Sequence, residues 1–322
     1  MKKILSLLLA ALLLVPILAG CGAENAPAGG KITVVTTIFP LYDWVREIAG
    51  ERAEALEIVM LLDNGVDLHS FRPSADDLVT ISRCDLFLYV GGESDEWAED
   101  ALQNAHRPER VAVSLTEALG DRLHKEEVVE GMEAEEEGEE EEGEAYDEHI
   151  WLSLKNAAAL CRVIAAKLGE IDEAGKEIYE ANAEAYLAKL EALDEKYEEA
   201  VGAAKQKTLL FADRFPFRYL TDDYGLDYYA AFLGCSAESE ASFETVRFLA
   251  RKVDELGLGA VLTLEETDHR LAETVVASTK NQNAKILTMD SLQSTTGEDV
   301  KSGASYLSIM EKNLAVLKEA LA

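Results

Sequence analysis

Residues 176–205 read KEIYEANAEAYLAKLEALDEKYEEAVGAAK. Tyr179, Ala183, Tyr186, Leu187, Leu190, Leu193, Tyr197 and Val201 recur at helical spacing. Neither Gly nor Pro interrupts the pattern between Gly175 and Gly202. At about 1.5 Å per residue, one continuous helix here would run roughly 45 Å, more than one small domain needs. The stretch is therefore expected to be a rigid connector between two lobes.

The segments on either side alternate in the same way. Before the connector, strands are expected over 31–37, 53–62, 86–90 and 111–113, each rich in β-branched or apolar residues. Helical patterns over 39–49, 95–105 and 154–168 lie between or after them, and Ser74-Ala-Asp-Asp77 looks like a capped helix start. Beyond the connector, strands over 208–212, 226–232, 259–264 and 285–289 alternate with helices over 217–224, 242–256 and 271–279, and 305–322 closes the chain as a helix. Such alternation implies α/β architecture: two lobes, each a mostly parallel sheet flanked by helices, joined by a long rigid α-helix. The expected boundaries are 31–175 for the first lobe, with an acidic loop over 126–148, then 176–205 for the connector and 206–322 for the second lobe.

The chain of 322 residues carries 62 acidic and 30 basic side chains, a net charge of −32. Phosphate backbones require Lys and Arg, so nucleic acid is excluded as a partner. An acidic surface suits attraction of cations, although most of it serves solubility. Lys2 and Lys3 precede an apolar run over 4–18 and then Leu18-Ala-Gly-Cys21. That pattern describes a secretory signal over 1–20, too short to span a bilayer. Leu-Ala-Gly-Cys resembles a bacterial lipobox, which makes Cys21 the expected lipidation site and places the protein outside the cytoplasm, anchored to the cell membrane. Residues 21–30 are small and read as a tether.

Five histidines offer candidate metal ligands: His69, His106, His124, His149 and His269. His106 and His124 lie in polar, charged surroundings, and His269 reads as a helix-start residue. His69 and His149 differ, because each follows an acid and precedes apolar or aromatic residues: Asp67-Leu-His69-Ser-Phe71 and Asp147-Glu-His149-Ile-Trp151. Each is either a metal ligand or a satisfied structural histidine. Asp213, Glu265 and Asp290 follow expected strand ends, where ligands of open α/β sheets sit. Imidazole with carboxylate suits zinc or manganese. Cys84 and Cys161 read as core residues, Cys235 completes an odd set, and the lack of a CxxC pair argues against a thiolate zinc site. Nine of the twelve residues 133–144 are Glu, a run that is either a solvating loop or a weak cation collector.

Four segments stand in an order that resembles a known family: Gly65-Val-Asp-Leu-His69-Ser-Phe-Arg-Pro73, Asp147-Glu-His149-Ile-Trp-Leu-Ser153, Lys285-Ile-Leu-Thr-Met-Asp290 and Tyr306-Leu-Ser-Ile-Met-Glu-Lys-Asn313. They look like the solute-binding lipoproteins of zinc and manganese ABC importers, and the likeness covers essentially the whole chain after the signal. The resemblance implies capture of Zn2+, or alternatively Mn2+, and delivery to an ABC permease with its ATPase subunit, by a monomer with no enzymatic activity. It implies His69 and His149 as first-lobe ligands and Asp290 as a second-lobe ligand. The third family position, His or Glu, falls on Arg214 without a gap, or on Asp213 with one extra residue near Pro216; Asp213 is the choice. Glu240 and Glu265 match acidic family positions near the cleft, as a substitute ligand or supporting groups. Two other classes stay open: a secreted zinc hydrolase, though HExxH is missing, and a surface adhesin with a structural metal.

Overall fold

The computed structural model describes residues 30–103, 110–133, 146–236 and 240–322. The signal-like segment, Cys21, nearly all of the tether, His106 and residues 134–145 of the Glu-rich run lie outside the described residues. Four strands build the first sheet: β1 (Ile32–Thr36), β2 (Leu56–Met60), β3 (Leu86–Tyr89) and β4 (Val111–Ser114). Four more build the second: β5 (Thr208–Phe215), β6 (Asp227–Leu233), β7 (Ala260–Leu264) and β8 (Lys285–Met289). The spatial orders are β2-β1-β3-β4 and β6-β5-β7-β8, the same permutation twice, with every pairing parallel. Central strands such as β3 and β7 are buried along their whole length, as strands covered on both faces must be.

Helices α1 (Phe39–Ala49), α2 (Ala75–Arg83), α3 (Glu96–Gln103), α4 (Leu115–Leu119) and α5 (Leu154–Ile171) belong to the first half. The connector is α6 (Lys176–Ala203), a single helix of 28 residues whose buried set is the eight residues read from its periodicity. The second half holds α7 (Arg218–Tyr224), α8 (Phe243–Leu256), α9 (Arg270–Ala277), α10 (Gly297–Lys301) and α11 (Tyr306–Ala320). Local chemistry sets several of their starts. Ser74 and Asp77 form a reciprocal capping box on α2, and the Ser242 hydroxyl accepts from Thr245 N at the start of α8.

Three expectations need correction. Residues 53–55 belong to a 3-10 turn over Gly50–Ala55, and the strand begins only at Leu56. The short helix α10, capped by Thr296 and Asp299, was not expected from periodicity because it has no buried face. Strand β5 runs on through Phe215 instead of ending at Ala212. Phe211 pairs with Ala230 but Arg214 with Phe232, so β5 carries one extra residue there, a bulge.

Residues 32–322 form one compact unit, and its main apolar core runs through both sheets. That core includes Val34 and Phe87 of the first sheet, Phe211 and Leu262 of the second, and Trp44, Leu190 and Met310 from the helices between. Tyr197 on α6 donates its hydroxyl to Met310 O on α11 at 2.7 Å. The Tyr306 ring meets Trp44 edge-on at 5.2 Å, its backbone N donates to Asp43 Oδ2, and its hydroxyl donates to Trp151 O. Trp44 and Tyr306 are fully buried. A core shared this way gives one cooperative unit. Calorimetry is therefore expected to show a single unfolding transition, and Trp44→Ala to lower its stability by about 3–5 kcal/mol; two resolved transitions would refute the shared core.

Candidate metal centre

The two Asp-x-His segments fold in the same way. Asp67 Oδ1 accepts from His69 N at 2.9 Å, and Asp147 Oδ1 accepts from His149 N at 2.8 Å. An Asp side chain that caps the amide two residues on is an Asx turn, and it fixes where the following ring emerges. His69 sits on a 3-10 turn (Leu68–Ser70) beyond β2, and His149 directly precedes another (Ile150–Leu152). The outer ring nitrogens are also tied. His69 Nδ1 lies 2.7 Å from Ser94 Oγ, and His149 Nδ1 lies 3.0 Å from Asp147 Oδ1. Both Nε2 atoms are thereby turned inward, 3.1 Å apart.

That separation means the pair shares one proton, since two imidazolium N–H groups cannot face each other. Burial and the charge of His149 hold His69 down to about 3. His149 is wholly buried, which opposes charge, but the carboxylates of Asp147, Glu148 and Asp67 outweigh this and raise it. The shared proton is thus favoured on His149 over His69, with Asp147 Oδ1 facing its Nδ1. A cation entering between the rings would take the place of that proton. The Trp151 ring packs against His149 at 5.3 Å, and its indole N–H donates to Ser291 O of the second half.

A third donor joins them. Cys235, half-buried, lies with one donor atom within 4.8 Å of both imidazoles. It stands two residues beyond the end of β6, after Gly234. A Cβ on Gly234 would come 2.8 Å from His149 Cε1 and 2.9 Å from Phe215 O, so only glycine lets this backbone approach the ring. A cavity of about 420 Å3 opens over the group, with His69, Glu126, Glu148 and Cys235 in its wall. Glu148 is buried; Oε1 accepts from Ser94 N, and Oε2 lies 3.9 Å from His69 Nδ1 with no hydrogen-bond partner. Burial and the Glu126 carboxylate push the Cys235 thiol well up. The lack of a CxxC pair argues against a thiolate site, yet a lone thiol stands beside the imidazoles; position just past a strand end is the signal that points to Cys235.

The second half's carboxylates fall differently from expectation. Asp213 Oδ1 accepts from Arg214 N within β5 and Oδ2 from Leu264 N on β7, so both oxygens are engaged by backbone amides. Arg214 reaches across to Asp67 Oδ2 at 2.9 Å. Against the cost of burial, its guanidinium holds Asp67 below the usual carboxylate range. Glu240 is exposed and stands outside the group. Leu264 and Met289 are register partners in β7 and β8, so Glu265 and Asp290 emerge side by side. Burial and the neighbouring Asp290 charge push Glu265 up to about 7, and burial raises Asp290 too. Glu265 clamps the following turn by accepting from Ser291 N and Ser291 Oγ, at 2.8 and 2.6 Å. Asp290 Oδ1 accepts from Leu292 N, and its backbone is held by the Asn313 amide. Neither carboxylate belongs to the tight group of His69, His149 and Cys235. His124 pairs with Asp222 and stacks on Tyr219, and His269 faces Thr263, both away from the cluster.

Comparison with known proteins identifies the family. The zinc-binding lipoprotein AdcA of Streptococcus pneumoniae serotype 4 is 34% identical over 99% of this chain and 61% of its own length. The chain thus spans about three fifths of the AdcA relatives it matches. The high-affinity zinc uptake system protein ZnuA of Bacillus subtilis is 28% identical over 95% of this chain and 94% of its own. Among solved structures, the Zn(II)-bound ZnuA-like domain of Streptococcus pneumoniae AdcA superposes with a TM-score of 0.71 at 30% identity, covering 91% of this chain and 99% of that domain. Residues 34–320 match the family model described as zinc-uptake complex component A, periplasmic, and the chain belongs to that ZnuA family.

Proposed function

We propose that this protein captures Zn2+ outside the membrane and delivers it to an ABC permease served by an ATPase subunit. The observation that carries the reading is the pair of inward Nε2 atoms 3.1 Å apart, each ring fixed through its other nitrogen. Donors are oriented through their outer nitrogens in this way when a metal is to be held. His69 and His149 supply the first-lobe ligands. Asp290 stands outside the tight group and would close on the ion from the opposite lobe, with Glu265 holding the turn beside it. Asp213 and Glu240 are left out, because the first has both oxygens on backbone amides and the second is exposed. Cargo of this kind undergoes no reaction, so the protein is a carrier and not a hydrolase. The zinc-bound relative of the same fold and the family membership support zinc as the ion, with Mn2+ the competitor to be excluded. Lipid on Cys21 would hold a monomeric carrier at the outer membrane face beside its permease.

Two further outcomes are expected. Competitive chelator titration should show His149→Ala binding Zn2+ more than about 100-fold more weakly than wild type, and Asp147→Asn about 10–100-fold more weakly. Wild-type affinity in His149→Ala would sink the assignment. Zinc entry must also expel the proton shared by His69 and His149. Because the folded protein holds that proton more tightly than an ordinary histidine does, affinity should begin to fall at a pH above the ordinary histidine value of about 6.5. Calorimetry in buffers of different ionisation enthalpy reads the released proton, and pH-independent binding with no proton release would contradict a site built on this pair.

A further inference from the structure

We propose that Cys235 binds the same ion as a thiolate, and that it replaces on the second lobe the donor that β5 does not provide. The inference rests on the zinc-capture reading and narrows it. On β5, Asp213 is consumed by two backbone amides and Arg214 is a cation tied to Asp67. The neighbouring strand β6 instead delivers sulfur: Leu233 ends the strand, Gly234 presses against the His149 ring, and Ser236 N donates back to Leu233 O, so Cys235 sits on a tight turn facing the imidazoles.

Zinc bound tetrahedrally at about 2.0–2.1 Å to nitrogen and 2.3 Å to sulfur places its donors roughly 3.3–3.6 Å from one another. The two nitrogens are 3.1 Å apart and all three donor atoms lie within 4.8 Å, so adjustments of about an ångström would seat an ion. A buried oxygen, Glu148 Oε2, stands beside the group without a hydrogen-bond partner and lines the same cavity. It sets beside the imidazole pair a carboxyl oxygen with unused capacity to accept or to ligate a cation. On binding, the Cys235 S–H bond breaks and its electron pair stays on sulfur to form the Zn–S bond. The proton passes to the adjacent Glu126 carboxylate and on to water in the cavity. One thiolate with the Asp290 carboxylate would neutralise Zn2+. A soft sulfur donor favours Zn2+ over Mn2+, which prefers oxygen, so Cys235 would also be the residue that sets metal choice.

The full-length protein loaded with Co2+ tests this. Wild type should show sulfur-to-cobalt charge-transfer absorption in the near ultraviolet, and Cys235→Ser should bind Co2+ without it. In chelator competition, Cys235→Ser should lose about tenfold or more in Zn2+ affinity while its Mn2+ affinity stays as in wild type. A measurement on wild type needs no variant to fold: Zn2+ should protect Cys235 from maleimide, mapped by mass spectrometry, whereas Mn2+ should not. Cobalt bound without the charge-transfer band, unchanged Zn2+ affinity in Cys235→Ser, or equal maleimide labelling with and without Zn2+ would each overturn the sulfur ligand while zinc capture stands. Failure of wild type to bind Zn2+ at all would overturn both.

Discussion

The cleft depends on how α6 and α11 lock the two sheets to one core. Tyr306 sits at the junction, with its ring on Trp44, its amide on Asp43 and its hydroxyl on the carbonyl of Trp151. Trp151 in turn touches His149 on one side and, through its indole N–H, Ser291 beside Asp290 on the other. The aromatic packing that joins the lobes is thus continuous with the shell that positions the ligands. Opening such a cleft widely would break a buried core, so movement on metal entry is confined to loops and small rotations.

Charge governs the metal-free state. Two imidazole Nε2 atoms face each other, a buried carboxyl stands beside them, and burial with the Glu126 charge pushes the Cys235 thiol up. The Arg214–Asp67 pair adds a fixed ionic contact across the cleft next to His69. It braces the Asx turn that carries His69.

Much of this was readable from residue order. The eight buried positions of α6 follow from 3.6-residue periodicity alone, because a helix that bridges two lobes must bury one stripe along its whole length. His69 and His149 were recognisable because Asp-x-His is a local device, complete within three residues. The strand-end rule located Glu265 and Asp290, since β7 and β8 end in register. It misplaced Asp213, because β5 runs on three residues past Ala212 and that carboxylate accepts from the amides of Arg214 and Leu264.

What the sequence by itself determined was therefore everything set by short-range periodicity and local turns: the alternation of strands and helices, the long connector and the two candidate histidines. Tertiary structure alone decided which second-lobe groups face them. Cys235 is 86 residues from His149 and 166 from His69, and no local pattern links them. They meet because β6 lies beside β5 at the sheet edge and because glycine at 234 lets the chain press against an imidazole. Proximity of that kind is created by sheet order and strand register, which belong to the folded chain and not to any stretch of it.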